Sequence, residues 1–90
     1  MDYRPLGNTG VKVSELCLGT AFRAQDDEQV CIEVIHRAID LGCNFIDCAN
    51  YYYQGRCEDL LGKAIKGKRE DLVVTTKVWS PIGEGPNDEG

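Results

Sequence analysis

Three short apolar runs, each followed by a polar or glycine-containing loop, indicate β-strands in this chain. The first covers residues 15–20 and ends near a glycine, the second covers residues 43–47 and ends in Asp47, and the third covers residues 72–77 and ends in Lys77. The third run is rich in β-branched residues, which favour strands. An acid and an amine are therefore expected at the C-terminal ends of two neighbouring strands.

Two segments with helical spacing separate these runs. In the first, carboxylates at residues 26–28 favour a helix start, and Leu41-Gly42 is typical of a helix end. The apolar positions between them recur with helical spacing, and they are Cys31, Val34, Ile35, Ala38 and Ile39. His36 lies off this stripe, so we expect a solvated helix residue rather than a catalyst.

A second helix is predicted over residues 56–66, with an apolar side formed by Leu60, Leu61, Ala64 and Ile65. Gly62 within this helix lowers its intrinsic propensity by about 1 kcal/mol relative to alanine. Close packing of the helix against a strand would explain a glycine at this position. Residues 67–71 are predicted to form an exposed turn.

The remaining segments complete an α/β order. Turn residues between two short extended pieces predict a hairpin over residues 1–13, residues 15–79 are predicted to form a β-α-β-α-β unit, and residues 80–90 to be loop or disordered. Strands joined through helices pair in parallel with right-handed connections, so both helices cover one face of the sheet. Because the other face, with Phe45 and Val73, needs more protein, we infer a partial (β/α)8 (TIM) barrel.

Composition and charge exclude several classes of function. The chain has 90 residues, 42% of them hydrophobic, and a formal net charge of −5. These values predict one globular domain at most and disfavour nucleic acids and anionic membrane surfaces as partners. Since there is neither an apolar run of membrane-spanning length nor a signal-peptide pattern, we expect a cytoplasmic protein.

The cysteine pattern predicts reduced thiols. The count is odd, no two cysteines have C-x-x-C spacing, and the five are Cys17, Cys31, Cys43, Cys48 and Cys57. A disulfide framework is not expected from such spacing without an export signal. No metal site is expected either, because the candidate ligands are scattered. Most of these cysteines are expected to be small buried hydrophobic residues.

The candidate site consists of Asp47, Tyr52 and Lys77. Loops after the C-terminal ends of parallel strands hold the chemistry of α/β proteins, and Tyr52 lies five residues after Asp47 in such a loop. An acid, a phenol and an amine from two adjacent strand ends suit proton transfer. The alternative is a buried Asp47 that caps the loop, with tyrosines that only pack.

Four motifs in order make nearly all of the chain resemble the N-terminal part of the aldo-keto reductases. Residues 3–20 are similar to the family's N-terminal hairpin and first barrel strand, and Asp47-x-Ala49-x-x-Tyr52 is similar to its catalytic strand end. Gly55-x-x-Glu58-x-x-Leu61-Gly62 is similar to the start of the family's second helix. Thr75-Thr76-Lys77 is similar to the strand that carries its catalytic lysine. The resemblance implies that residues 1–90 are the N-terminal part of an aldo-keto reductase barrel.

The resemblance also implies an oxidoreductase that reduces aldehydes or ketones to alcohols with a nicotinamide cofactor, NADPH or NADH. The family's catalytic tetrad is aspartate, tyrosine, lysine and histidine. Asp47, Tyr52 and Lys77 match the first three, whereas the histidine follows a fourth strand that lies outside this sequence. Tyr52 would donate the proton, Lys77 would stabilise the phenolate that remains, and Asp47 would orient Lys77.

Further binding residues follow from the same resemblance. Gly19 and Thr20 would lie near the cofactor, and Asp47 would contact its nicotinamide ribose. Trp79 would sit at the mouth that admits a small-molecule carbonyl substrate, where an aromatic wall is common. Equally, Trp79 could be a loop aromatic that packs on the barrel rim.

Two other functions stay open beside the enzyme, whose incomplete chain is expected to be inactive alone. One is a non-catalytic truncated fragment, and the other is a regulatory nicotinamide-binding subunit. The enzyme hypothesis predicts a definite geometry, with the Lys77 amine roughly 3–4 Å from Asp47 and the Tyr52 hydroxyl near it. Tyr51 and Tyr53 should point elsewhere. The inward set of side chains should be Phe45, Asp47, Val73, Thr75 and Lys77, with Ile46, Leu72 and Val74 towards the helices.

Overall fold

An antiparallel hairpin begins the computed structural model, which describes residues 1–23 and 25–89. Its strands are β1 (Tyr3–Pro5) and β2 (Lys12–Ser14), with Tyr3 opposite Ser14. Gly7 and Gly10 between them have φ of 58° and 79°, the left-handed region that glycine adopts without a steric penalty. The hairpin predicted from the turn residues is thus confirmed.

A three-stranded parallel sheet follows, in the spatial order β3-β4-β5. Its strands are β3 (Leu18–Gly19), β4 (Phe45–Asp47) and β5 (Val73–Thr75). The parallel pairing confirms the predicted α/β class and agrees with a segment of a (β/α)8 barrel. All three strands are shorter than their apolar runs.

The first strand is the one that differs most from its prediction. The prediction of a strand over residues 15–20 is wrong for the first half of that range, where the chain bends. The Leu16 carbonyl accepts a hydrogen bond from Ser14 Oγ at 2.6 Å and one from Cys43 Sγ at 3.5 Å. Because the Leu16 carbonyl bonds these side chains, it does not take part in strand pairing, and β3 begins only at Leu18.

Two helices cross over one face of this sheet. The first, α1 (Glu28–Asp40), is capped by the Asp27 carboxylate, which accepts from the backbone N–H of Gln29 at 2.9 Å. A 3-10 turn at Tyr52–Gly55 leads into the second, α2 (Arg56–Ala64). The helices and the sheet enclose a core of Ile35, Ile46, Cys48, Cys57, Leu61, Ala64, Ile65 and Leu72.

The two faces of the sheet divide as period two predicts. Ile46 is fully buried beneath the helices, and Val74 packs against the same core. Phe45, Val73 and Thr75 lie on the other face and are half-buried. The predicted sidedness is thus confirmed for these strands, and the candidate site lies on the face without helices.

The packing face of α1 includes Cys31 and Ile35, as the predicted stripe requires, but differs from the prediction at Val34 and His36. Val34, predicted in the stripe, is 42% exposed. His36, predicted to be solvated, is half-buried, and its Nε2 lies 2.7 Å from the Ala64 carbonyl oxygen. Glu28, eight residues before His36, also reaches α2 through its ion pair with Lys63 at 2.7 Å. The side of α1 that carries Glu28 and His36 therefore faces α2, and Val34 points away from α2.

The cysteines and the C-terminal segment agree with their predictions. All five cysteines are unpaired; Cys17 is exposed and the other four are buried, as predicted for small hydrophobic residues. Residues 80–89 contain no helix or strand, although Ile82 N–H donates to the Asp88 carbonyl at 2.8 Å. Among the described residues, no helix combines the length and apolar character that a membrane crossing requires.

Gly62 is exposed in α2, and nothing lies within 4 Å of the position of an added Cβ. The close packing predicted for it is therefore wrong. We predict that Gly62→Ala raises the free energy of unfolding by about 0.5–1 kcal/mol, because alanine loses less backbone entropy in a helix. Thermal unfolding followed by far-UV circular dichroism measures this change.

Gly67→Ala is the matched control, because its added Cβ also meets nothing within 4 Å but its φ is +80°. That variant should be destabilised by about 1 kcal/mol, the cost of a left-handed conformation for alanine. A lower midpoint for Gly62→Ala would contradict the open, exposed position of Gly62 in α2.

Candidate functional site

Asp47 ends β4 with both carboxylate oxygens occupied. Oδ1 accepts a hydrogen bond from Thr75 Oγ1 at 2.5 Å, and Oδ2 accepts from Lys77 Nζ at 2.7 Å. The register explains both contacts, since Asp47 lies opposite Thr75 and Lys77 is the next residue on that face of the chain. From the other side, Thr20 donates its backbone N–H and its hydroxyl to the Asp47 carbonyl, at 3.1 and 2.9 Å.

Lys77 uses three contacts to hold its ammonium at the strand ends. Besides Asp47, its Nζ donates to the Cys48 carbonyl at 2.8 Å and to the Tyr52 hydroxyl at 3.1 Å. An ammonium has three N–H donors, so this set can satisfy all of them. The amine is thereby aimed at one phenol although its side chain is 50% exposed.

The loop after β4 selects Tyr52 from three adjacent tyrosines. The Asn50 N–H donates to the Lys77 carbonyl at 3.1 Å and continues the pairing past the strands. Tyr53 has a φ of 52°, a left-handed turn that sends its hydroxyl to Asp26 Oδ1 at 2.6 Å. Tyr51 is 53% exposed. The predicted geometry, with Tyr52 rather than its neighbours at Lys77, is thus found, whereas the catalytic roles stay predictions.

Electrostatics bind the acid and the amine into one charged pair. The hydrogen bond from Lys77 lowers the pKa of the Asp47 carboxyl below its usual value, and the bond from Thr75 lowers it further. The Asp47 carboxylate raises the pKa of Lys77, and the Tyr52 hydroxyl adds to that rise. Both shifts widen the pH range in which the pair is doubly charged.

Thr20 and Gly19 have different places at the site. Thr20 is fully buried and its hydroxyl is engaged by Asp47, so its side chain supports the site from beneath instead of facing a ligand. Gly19 is exposed, and an added Cβ there meets nothing within 4 Å. Trp79 is 85% exposed and borders a cleft of about 170 Å³ that Tyr52 and Lys77 also line.

Several contributing contacts were not predicted. Thr75 was predicted on the inward face beside Lys77, but its hydrogen bond to Asp47 was not predicted. The contact of Tyr53 with Asp26 had no signal in the sequence, since it depends on the left-handed turn. Among the described residues, no cluster of three or more histidine, cysteine or acidic side chains could hold a metal ion.

Comparisons with known proteins agree with this fold. Residues 15–90 match the family model described as Aldo/keto reductase family. The chain is 42% identical to the uncharacterized oxidoreductase YrpG of Bacillus subtilis, over 98% of the chain and 30% of that protein. It is 40% identical to a probable voltage-gated potassium channel subunit beta of Arabidopsis thaliana, over 100% of the chain and 29% of that protein.

A solved structure extends the agreement to the backbone. An aldo-keto reductase from Bacillus halodurans, in its holo form, superposes with a TM-score of 0.87 at 34% identity, covering 100% of this chain and 30% of that one. The chain thus spans about a third or less of the length of these relatives.

The charged pair generates a pH prediction. Because the pKa of Asp47 is lowered, its contribution to stability is present above the ordinary aspartate range and is lost as pH falls through the lowered value. Because the pKa of Lys77 is raised, its contribution is present below the ordinary lysine value and is lost as pH rises through the raised one. Lys77→Met removes the first cause of the lowered pKa of Asp47, so this variant should raise that pKa. NMR titration of the Asp47 carboxyl carbon measures the change.

Lys66→Met is the control for this titration. Lys66 is exposed after α2, and its loss should leave the titration of Asp47 unchanged. An Asp47 that titrates identically with and without Lys77 would contradict the ion pair.

Proposed function

This chain belongs to the aldo/keto reductase family, and we propose that it supplies part of the active site of a carbonyl reductase. The complete enzyme would reduce aldehydes or ketones to alcohols with a nicotinamide cofactor, NADPH or NADH. The observation that carries the proposal is the continuous contact from Asp47 through the Lys77 ammonium to the Tyr52 hydroxyl, at 2.7 and 3.1 Å.

Each residue has a separate part in the proposed chemistry. When bound, the nicotinamide supplies a hydride, and the reduced carbonyl oxygen then needs a proton. The Tyr52 hydroxyl donates that proton, and the Lys77 ammonium beside it stabilises the phenolate that remains. Asp47 keeps Lys77 charged and aimed, and Thr75 keeps the carboxylate of Asp47 in place.

The residues present fit a nicotinamide cofactor. The Asp47 side chain is 33% exposed, so a lone pair on its carboxylate remains available to a ribose hydroxyl. Gly19 offers an open backbone surface beside it, because β3 pairs Gly19 with Asp47. We assign Thr20 to holding this pairing together. Trp79, at the edge of the cleft beside Lys77, is the proposed wall for the substrate.

The chain alone should not turn over substrate, because its single histidine is not at the site. His36 contacts the Ala64 carbonyl between the helices, and the fourth tetrad member that the family resemblance implies has to come from protein outside this chain. We therefore predict no NADPH oxidation above buffer when the purified chain is mixed with a reactive aromatic aldehyde. Turnover that disappears in Tyr52→Phe would contradict this expectation.

The role of Tyr52 is testable in a complete barrel, made by joining this chain to the part of the Bacillus halodurans reductase that it does not cover. Tyr52→Phe should lower kcat/KM about 100- to 10,000-fold, the usual contribution of a general acid. Tyr51→Phe removes the neighbouring phenol and should change kcat/KM little. Tyr3→Phe, which removes a hydroxyl bonded to the Gly42 carbonyl at 2.7 Å, is the remote control. Equal losses in Tyr51→Phe and Tyr52→Phe would refute the assignment.

A regulatory nicotinamide-binding subunit is the second candidate. It is favoured by the 40% identity to the Arabidopsis thaliana protein, a probable voltage-gated potassium channel subunit beta. Cofactor binding without Tyr52-dependent turnover, together with a co-purifying partner, would favour this candidate over the enzyme. For either function we propose the cytosol, since the unpaired state of all five cysteines suits a reducing compartment.

A further inference from the structure

A second cavity lies beside the proposed acid, Tyr52. It measures about 390 Å³ and is bounded by Ala21 and Arg23 from the loop after β3 and by residues 51–54 from the loop after β4. This volume is within the range of small-molecule sites, about 300–1,000 Å³. Because Tyr52 borders both this cavity and the cleft beside Lys77, a molecule in the cavity lies next to the proposed proton donor.

Arg23 is the single cationic side chain among the residues that line this cavity. It is exposed, and the described residues place no carboxylate within ion-pair distance of it, since their ion pairs involve Arg4, Lys63 and Lys77. Asp26, the nearest acid along the chain, accepts the hydroxyl of Tyr53 instead. A guanidinium is permanently charged and presents a planar set of donors to carboxylate or phosphate oxygens.

The loop that carries Arg23 is held on both sides of it. Before Arg23, the Ala21 carbonyl accepts from Cys57 Sγ at 3.5 Å. After it, the guanidinium of Arg56 donates to the carbonyls of Gln25 and Asp26, at 3.3 and 2.9 Å. The backbone that presents Arg23 is thus tied to the start of α2, directly after the tyrosine loop that forms the opposite wall.

We propose that Arg23 gives this site a preference for carbonyl substrates that carry an anionic group, a carboxylate or a phosphate. The guanidinium would bind that group while the carbonyl oxygen faces the Tyr52 hydroxyl. The proposal rests on the proposed function. Because a net charge of −5 disfavours anions in general, binding of an anionic group here would depend on a local cation, and Arg23 is the cation that lines this cavity.

The complete chimeric barrel described above tests this preference with two aldehydes of nearly equal size. Para-formylbenzoate carries the anionic group, and para-formylbenzamide is its neutral counterpart. The readout is the ratio of their kcat/KM values, which does not depend on the fraction of folded enzyme. Arg23→Gln should lower this ratio about tenfold, through KM of the benzoate, as expected for a lost charge-assisted hydrogen bond.

Matched variants separate this role from others. Arg23→Lys should lower the ratio of kcat/KM values less than Arg23→Gln does, because lysine keeps the charge without the planar donors. Arg37→Gln, the same change at an exposed position of α1, should leave the ratio unaltered. High salt should lower the ratio in the unsubstituted enzyme and have little effect in Arg23→Gln.

Two results would overturn the proposal. One is an unchanged ratio in Arg23→Gln, and the other is an equal loss for both aldehydes with weaker cofactor binding, which would assign Arg23 to the cofactor. Neither result bears on the proton donor, since Tyr52→Phe should lower kcat/KM for both aldehydes by the same large factor. Failure of the proposed function would instead appear as an unchanged kcat/KM for both aldehydes in Tyr52→Phe.

Discussion

The contact between Asp47 and Lys77 depends on the parallel register of β4 and β5, and the rest of the site depends on that contact. Asp47 lies opposite Thr75, so the next side chain on the same face, that of Lys77, reaches the carboxylate at 2.7 Å. A shift of one residue would turn Lys77 to the face with the helices. Both side chains are partly exposed, so their pairing adds little to folding stability; its consequence is the fixed position of the amine.

That fixed position determines which phenol can act. The backbone pairing continues past both strands, through Cys48 N–H to the Thr75 carbonyl at 2.8 Å and Asn50 N–H to the Lys77 carbonyl at 3.1 Å. The loop therefore leaves the sheet at a defined point, and its left-handed residues separate the directions of Tyr52 and Tyr53. The choice of Tyr52 as the phenol beside Lys77 therefore depends on backbone hydrogen bonds just beyond the two strands.

The sequence predicted well what depends on local periodicity. Alternation along β4 and β5 placed Asp47 and Lys77 on one face and Ile46 on the other, and the turn residues predicted the hairpin. Features that depend on how elements dock were missed. The exposure of Val34 and the contact of His36 follow from where α2 lies against α1, which the helical spacing of α1 does not contain. Likewise, the short β3 results from the hydrogen bonds of Ser14 and Cys43 with Leu16.

A crystal structure of the chain within a complete barrel tests the central claim most directly. Our account predicts Lys77 Nζ in simultaneous contact with an Asp47 carboxylate oxygen and the Tyr52 hydroxyl, near the distances of 2.7 and 3.1 Å found here. Tyr53 should remain turned towards Asp26. A Lys77 side chain directed into solvent, or one that contacts the hydroxyl of Tyr51 or Tyr53 in place of Tyr52, would contradict the account.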